Sequence, residues 1–171
     1  LWAGQKMYDL YKKAYTPWEW HEELKELTES LGMDFFSSPF DFKDVDRLAS
    51  LNVPAYKIAS LEITDIPLIE YTANQQKPMI ISTGIADYDD IKLAVDTCKK
   101  GGLDQIALLK CTSAYPTPMS DVNLKLIQKI KEDFNVIVGL SDHTKGIAIP
   151  VAAVTLGAKI VEKHFILDKN G

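Results

Sequence analysis

The sequence predicts a parallel α/β fold of the (β/α)8 barrel type, of which these 171 residues supply about six βα units, strands three to eight. Short, almost continuously apolar runs recur at intervals of roughly 25 residues, as expected of strands buried on both faces. Each run leads into a helix-length segment with start and stop signals. Polar residues gather at the end of strand after strand. A doubly wound sheet concentrates them at one switch point, whereas a barrel rim collects them from nearly every strand. Six strands do not close such a barrel, so two strands and their helices are expected to lie outside this chain, making 1–171 a single partial catalytic domain.

The elements follow in order. Thr16-Pro17-Trp18-Glu19 reads as a capping box with Pro at the first helical position, and that helix should reach Leu31 with Gly32 as its stop. Met33 to Ser38 is a short buried strand ended by Pro39, and Asp41 caps a helix running through Leu51. Ala55 to Ser60 forms the next strand. A helix follows from near Thr64-Asp65, with Pro67 in its first turn, to about Gln75. Pro78 to Thr83 is a strand, Asp87 caps a helix that stops at Gly101-Gly102, and Gln105 to Thr112 is a strand. Asp121 caps a helix through about Glu132. Val136-Ile137-Val138 and Ala158-Lys159-Ile160-Val161 begin the last two strands, with an apolar helix between them.

Composition bounds the function. With 46% hydrophobic and 25% charged residues the chain can bury a sizeable core. A net charge of −5 and the lack of a Lys/Arg cluster argue against nucleic acid. The longest apolar run, Gly146 to Ala158, is too short to span a bilayer and contains Pro150, so no membrane partner is expected. Leu1-Trp2-Ala3-Gly4 lacks the features of a secretory signal, and the two cysteines, Cys98 and Cys111, read as reduced thiols in a cytoplasmic protein.

The chemistry is expected at the strand ends. His143 and His164 each close one of the last two apolar runs, so neighbouring parallel strands bring two imidazoles toward one point. That suits Zn, Mn, Fe or Co with open positions for substrate; the alternative is two buried histidines bonded to backbone. His21, on a Glu-rich helix start, reads as surface. Lys57 serves either as a point charge for phosphate or carboxylate or as a Schiff-base nucleophile, a role also open to Lys110. Strand alternation sends Ser60 and Glu62 to one face and Lys57 to the other, so all three share a site only if the strand bulges or ends before Ser60. Ser60, Ser82 and Ser141 offer hydroxyls to an anion. Glu62, Asp142 and Glu162 are acid/base or metal-polarising candidates, and Tyr115 a sugar-bonding one.

Six ordered motifs, SSPFD (37–41), VPAYKIAS-x-E (53–62), ISTG (81–84), LLKCTSAYP (108–116), GLSDHT (139–144) and EKHFILD (162–168), resemble the sialic acid synthases over nearly the whole chain. YTPWEWHE (15–22) and KIASLEITD (57–65) are most similar to the pseudaminic acid synthase branch. The resemblance implies a metal-dependent transferase that condenses phosphoenolpyruvate with an N-acetylated amino sugar to a nine-carbon 2-keto acid and phosphate. Mn²⁺ or Mg²⁺ would be held by the residues matching His143 and His164. Lys57, Ser60, Ser82, Ser141, Ser38 and Ser113 would lie on the phosphoenolpyruvate side; Glu62, Glu162 and Tyr115 would serve catalysis and the sugar. Ser113 and Leu61 depart from the Asn and Gly of N-acetylneuraminate synthases, which favours another sugar such as a 2,4-diacetamido-2,4,6-trideoxyhexose. Two family strands, carrying a glutamate and a second lysine, have no counterpart in these 171 residues. Neither has the antifreeze-like domain that lends an arginine across the family homodimer, so the fragment alone is expected to be catalytically incomplete.

Overall fold

The computed structural model describes Gly4 and residues 6–168. The chain forms two compact units, Leu1–Phe35 and Phe36–Gly171. The first holds α1 (Met7–Ala14), which the sequence did not signal, and α2 (Trp20–Ser30). Thr16 does not cap α2: Glu19 occupies the cap position in a helical conformation without a side-chain bond. A turn closes instead from the Trp20 amide to the Pro17 carbonyl, and Pro17 also bonds the His21 ring. His21 is buried, not on the surface, and stacks on Trp18 with ring centres 4.1 Å apart. Gly32 ends the helix as expected, at a φ of +74° that other residues avoid.

The second unit carries α3 (Phe42–Ser50), β1 (Tyr56–Ile58), α4 (Ile66–Ala73), β2 (Met79–Ser82), α5 (Tyr88–Lys100), β3 (Ile106–Cys111), α6 (Lys125–Phe134), β4 (Ile137–Asp142), α7 (Ala148–Thr155) and β5 (Ile160–Lys163). All strands are parallel and pair in chain order. A doubly wound sheet reverses its order at a switch point; this one never does, so it is an arc of barrel wall. Five strands form among the described residues, not six. Met33–Ser38 takes no regular secondary structure and joins no ladder, and the Lys57 amide donates to the Ser37 carbonyl at 3.4 Å. An apolar run becomes a strand only beside a partner edge.

Side-chain caps place α3, α4 and α5. Asp41, Asp65 and Asp87 accept from the amides of Asp44, Leu68 and Asp90, and Asp87 with Asp90 closes a full capping box. Asp121 instead lies in a single 3₁₀ turn, and α6 starts later, at Lys125. One strand face, with Tyr56, Ile58, Met79, Ile81, Leu108 and Leu140, is buried in the core together with Val45, Leu48, Ile69, Val95 and Ile127 of the helices. The alternate face bears Lys57, Ser82, Cys111, Ser141 and Glu162.

Candidate active site

The pairing register explains why those side chains meet. Cys111 pairs with Ser141, and Ser141 with Glu162, so three of them form one row across β3, β4 and β5. Ser82 and Lys57 continue the row on β2 and β1, displaced along the strands by the stagger that a barrel wall requires. Together with Ser60, Glu62, Ser113, Tyr115 and His143 they line a cavity of about 320 Å³ at the C-terminal strand ends. The parity conflict between Lys57 and Ser60/Glu62 resolves because β1 stops at Ile58. Ser60–Thr64 then winds into a 3₁₀ turn that brings both back over the cavity.

Lys57 is the buried cation of the site. Its ammonium donates to Ser82 Oγ at 2.7 Å and to the Ile58 carbonyl at 3.1 Å, and lies 3.4 Å from Glu162 Oε2. Burial lowers its pKa, and the Glu162 carboxylate opposes that shift. Glu162 Oε1 accepts from Ser141 Oγ at 2.6 Å. Glu62 differs: its Oε2 is buried with no hydrogen-bond partner among the described residues, and burial pushes its pKa up. Ser60 Oγ accepts from the Gly84 amide at 3.0 Å. A Cβ at 84 would stand 2.4 Å from Ser113 Oγ and 2.8 Å from Ser60 Oγ, so a larger residue there must displace those cavity hydroxyls.

The histidines converge. Ring centres of His143 and His164 are 5.3 Å apart, and Tyr115 packs on both, at 4.1 Å from His143 and 5.7 Å from His164. His143 Nδ1 lies 3.0 Å from the Thr112 carbonyl, so it carries the proton and leaves the Nε2 lone pair free. Among the described residues no set of three or more His, Cys, Asp or Glu side chains is arranged to hold a metal. Imidazole nitrogens are donors of the kind that bind divalent transition metals, and these are the two that meet at the rim.

Other predicted residues fall elsewhere. Ser38 sits in that irregular segment outside the cavity lining, and Phe40 lines it instead. Lys110 points to the opposite sheet face, where its ammonium bonds Thr112 Oγ1, so of the two lysines only Lys57 reaches the cavity. Cys111 was legible as a buried thiol but not as a cavity wall. Its alternation with Lys110 along one strand was the available signal.

The chain resembles known proteins over nearly its whole length. The chain is 50% identical over 170 residues to pseudaminic acid synthase of Helicobacter pylori, a match covering 99% of this chain and 50% of that protein. It is 43% identical over 167 residues to N,N'-diacetyllegionaminic acid synthase of Legionella pneumophila, covering 95% of this chain and 47% of that one. The chain thus spans about half the length of the curated relatives it matches. The crystal structure of N-acetylneuraminic acid (sialic acid) synthetase from Leptospira borgpetersenii superposes with a TM-score of 0.92 at 36% identity, over 98% of this chain and 59% of that one. The sequence model of the NeuB family matches residues 1–171, the stretch that holds the whole constellation of lysine, carboxylates, serines and paired histidines, and the chain belongs to that family.

Proposed function

We propose that the protein condenses phosphoenolpyruvate with an N-acetylated amino sugar, giving a nine-carbon 2-keto acid and phosphate. The observation that carries this is one cavity holding a buried ammonium, hydroxyls, an unpartnered carboxylate and, at its edge, two converging imidazoles. Lys57 with Ser60, Ser82 and Ser141 forms a cationic, hydroxyl-rich wall suited to phosphoenolpyruvate's phosphate and carboxylate. Tyr115, which packs on both imidazoles, would bond the sugar. His143 and His164 would hold a divalent cation, Mn²⁺ or Mg²⁺, which would supply Lewis-acid polarisation of the sugar's open-chain aldehyde.

In the proposed reaction, C3 of phosphoenolpyruvate bonds to the aldehyde carbon, whose oxygen takes up a proton. Water adds at C2 and loses one proton; the resulting C2 hydroxyl closes to the ketone as phosphate leaves with the electrons of the C2–O bond and takes up the hydroxyl proton. Glu62, raised in pKa by burial and with one buried oxygen left unbonded, is the base that takes the proton from that water. Glu162 holds Ser141 and the Lys57 ammonium in place. The finer reading is the pseudaminic branch with a 2,4-diacetamido-trideoxyhexose, supported by 50% identity to a pseudaminic acid synthase and by Leu61 and Ser113 in the cavity wall. Legionaminate or N-acetylneuraminate synthesis is the alternative within the family. A cytoplasmic setting is supported by two buried, unpaired cysteines; a homodimer and a single partial barrel domain over 1–171 are proposed from the family resemblance. No helix among the described residues is long and apolar enough to cross a membrane.

The test is phosphate release from phosphoenolpyruvate by a full-length protein carrying this segment. It should require the sugar, stop with EDTA and return with Mn²⁺. Activity surviving both His143→Ala and His164→Ala overturns the reading. Burial and a lowered pKa also suit Lys57 to Schiff-base chemistry; borohydride trapping with a keto acid separates the two, an adduct at Lys57 favouring the aldolase.

A further inference from the structure

The paired histidines sit at different levels of support. His143 is bonded through Nδ1 to Thr112, and its carbonyl accepts from the Thr117 amide at 3.0 Å. His164 follows the last residue of β5, is exposed, and among the described residues its ring makes aromatic contacts but no hydrogen bond. Its position depends on whatever anchors the end of β5.

That anchor lies on the other face of the sheet. Asp142 and Lys163 are register partners across β4 and β5, and each directly precedes one of the two histidines. Lys163 Nζ donates to Asp142 Oδ2 at 2.5 Å and to the Thr144 carbonyl at 2.7 Å. Asp142 Oδ1 in turn accepts from the Thr144 amide at 2.9 Å and from Thr144 Oγ1 at 2.7 Å. Asp142 is only 2% exposed, so both its carboxylate oxygens are satisfied away from bulk water, while Lys163 reaches the carboxylate from the exposed side. The loop of bonds brackets His143 from either side, through residues 142 and 144, and fastens to it the residue that carries His164. Neither Asp142 nor Lys163 lines the cavity, so this arrangement does not serve substrate directly.

The geometry points to Asp142 and Lys163 as positioning residues, an ion-paired clamp that sets the spacing of the His143 and His164 imidazoles. The metal arm of its test rests on reading those histidines as metal ligands. Partners of this kind that orient metal ligands without touching the metal change affinity by about 10- to 100-fold when removed.

In a full-length protein carrying this segment, Lys163→Met and Asp142→Asn should weaken Mn²⁺ binding, followed by electron paramagnetic resonance, by about tenfold or more. Lys163→Arg, which keeps the charge, should restore most of it. Imidazole NMR signals of His164 and His143 should move in Lys163→Met while those of His21, buried against Trp18, stay in place. Unchanged Mn²⁺ affinity together with unchanged imidazole signals overturns the clamp. So do changes that spread equally to His21 with Lys163→Arg no better than Lys163→Met, because that pattern marks general packing. If the unmodified protein fails to bind Mn²⁺, the two-histidine metal reading falls by itself. The imidazole signals then decide the clamp alone, movement supporting it and constancy overturning it.

Discussion

Glu62 and Lys57 face the same cavity with opposite environments. Lys57 spends its ammonium on Ser82, Ile58 and Glu162, whereas Glu62 leaves a buried oxygen without a bond. An unbonded buried carboxylate opposes folding and suits a base. Glu62→Gln should therefore lower kcat of a full-length protein by about 10²- to 10⁴-fold while leaving stability unchanged or higher. The pH dependence has a definite sign. Burial raises the folded-state pKa above the unfolded one, so at low pH both states are protonated and nothing is lost. Stability falls as pH rises from the unfolded to the folded value. Chemical denaturation at acid and neutral pH should show Glu62→Gln gaining on the parent only above that window, and the acid limb of kcat/KM should lie above the ordinary carboxylate range. Gly84 invites a second test. Gly84→Ala should cut activity at least tenfold with a modest loss of stability, since the added methyl meets movable hydroxyls of Ser60 and Ser113 rather than backbone.

At the scale of elements, Gly139 of β4 is the register partner of Ile160 in β5. A Cβ at 139 would stand 2.5 Å from the Ile160 carbonyl and from Leu109 Cδ2, and backbone cannot yield as a side chain does. Gly139→Ala should destabilise by about 3 kcal/mol, the upper range for overpacking, as read from urea denaturation. Asp87→Ala, which removes the α5 capping box at a residue outside the cavity lining, should cost about 1 kcal/mol and leave KM and kcat alone. The aspartate caps were legible because the interaction is local, spanning three residues. Thr16 and Asp121 matched the same pattern and did not cap, the chain there preferring a turn and a 3₁₀ segment. The pattern names residues able to cap, not the backbone that must present them.

At the scale of the whole sheet, the inner face is only partly filled. A cavity of about 760 Å³ lies toward the N-terminal strand ends, lined by Ile80, Ile106, Ile137 and Ile160 among others, and Ile137 is 55% exposed. Neither β1 nor β5 has a second strand neighbour among the described residues. Apolar surface and unpaired edges together predict that the isolated 171 residues self-associate; a monodisperse monomer by sedimentation would contradict this. By itself the sequence determined the parallel α/β class, the rim location of the polar residues and the pairing of the two histidines. Apolar period and strand-end chemistry are local properties of the chain. Tertiary structure alone decided that β1 ends at Ile58, which carries Ser60 and Glu62 over the Lys57 face, that Lys110 turns away while Cys111 turns in, and that Met33–Ser38 pairs with no ladder. Each of these depends on register between segments distant in sequence, which no local pattern encodes.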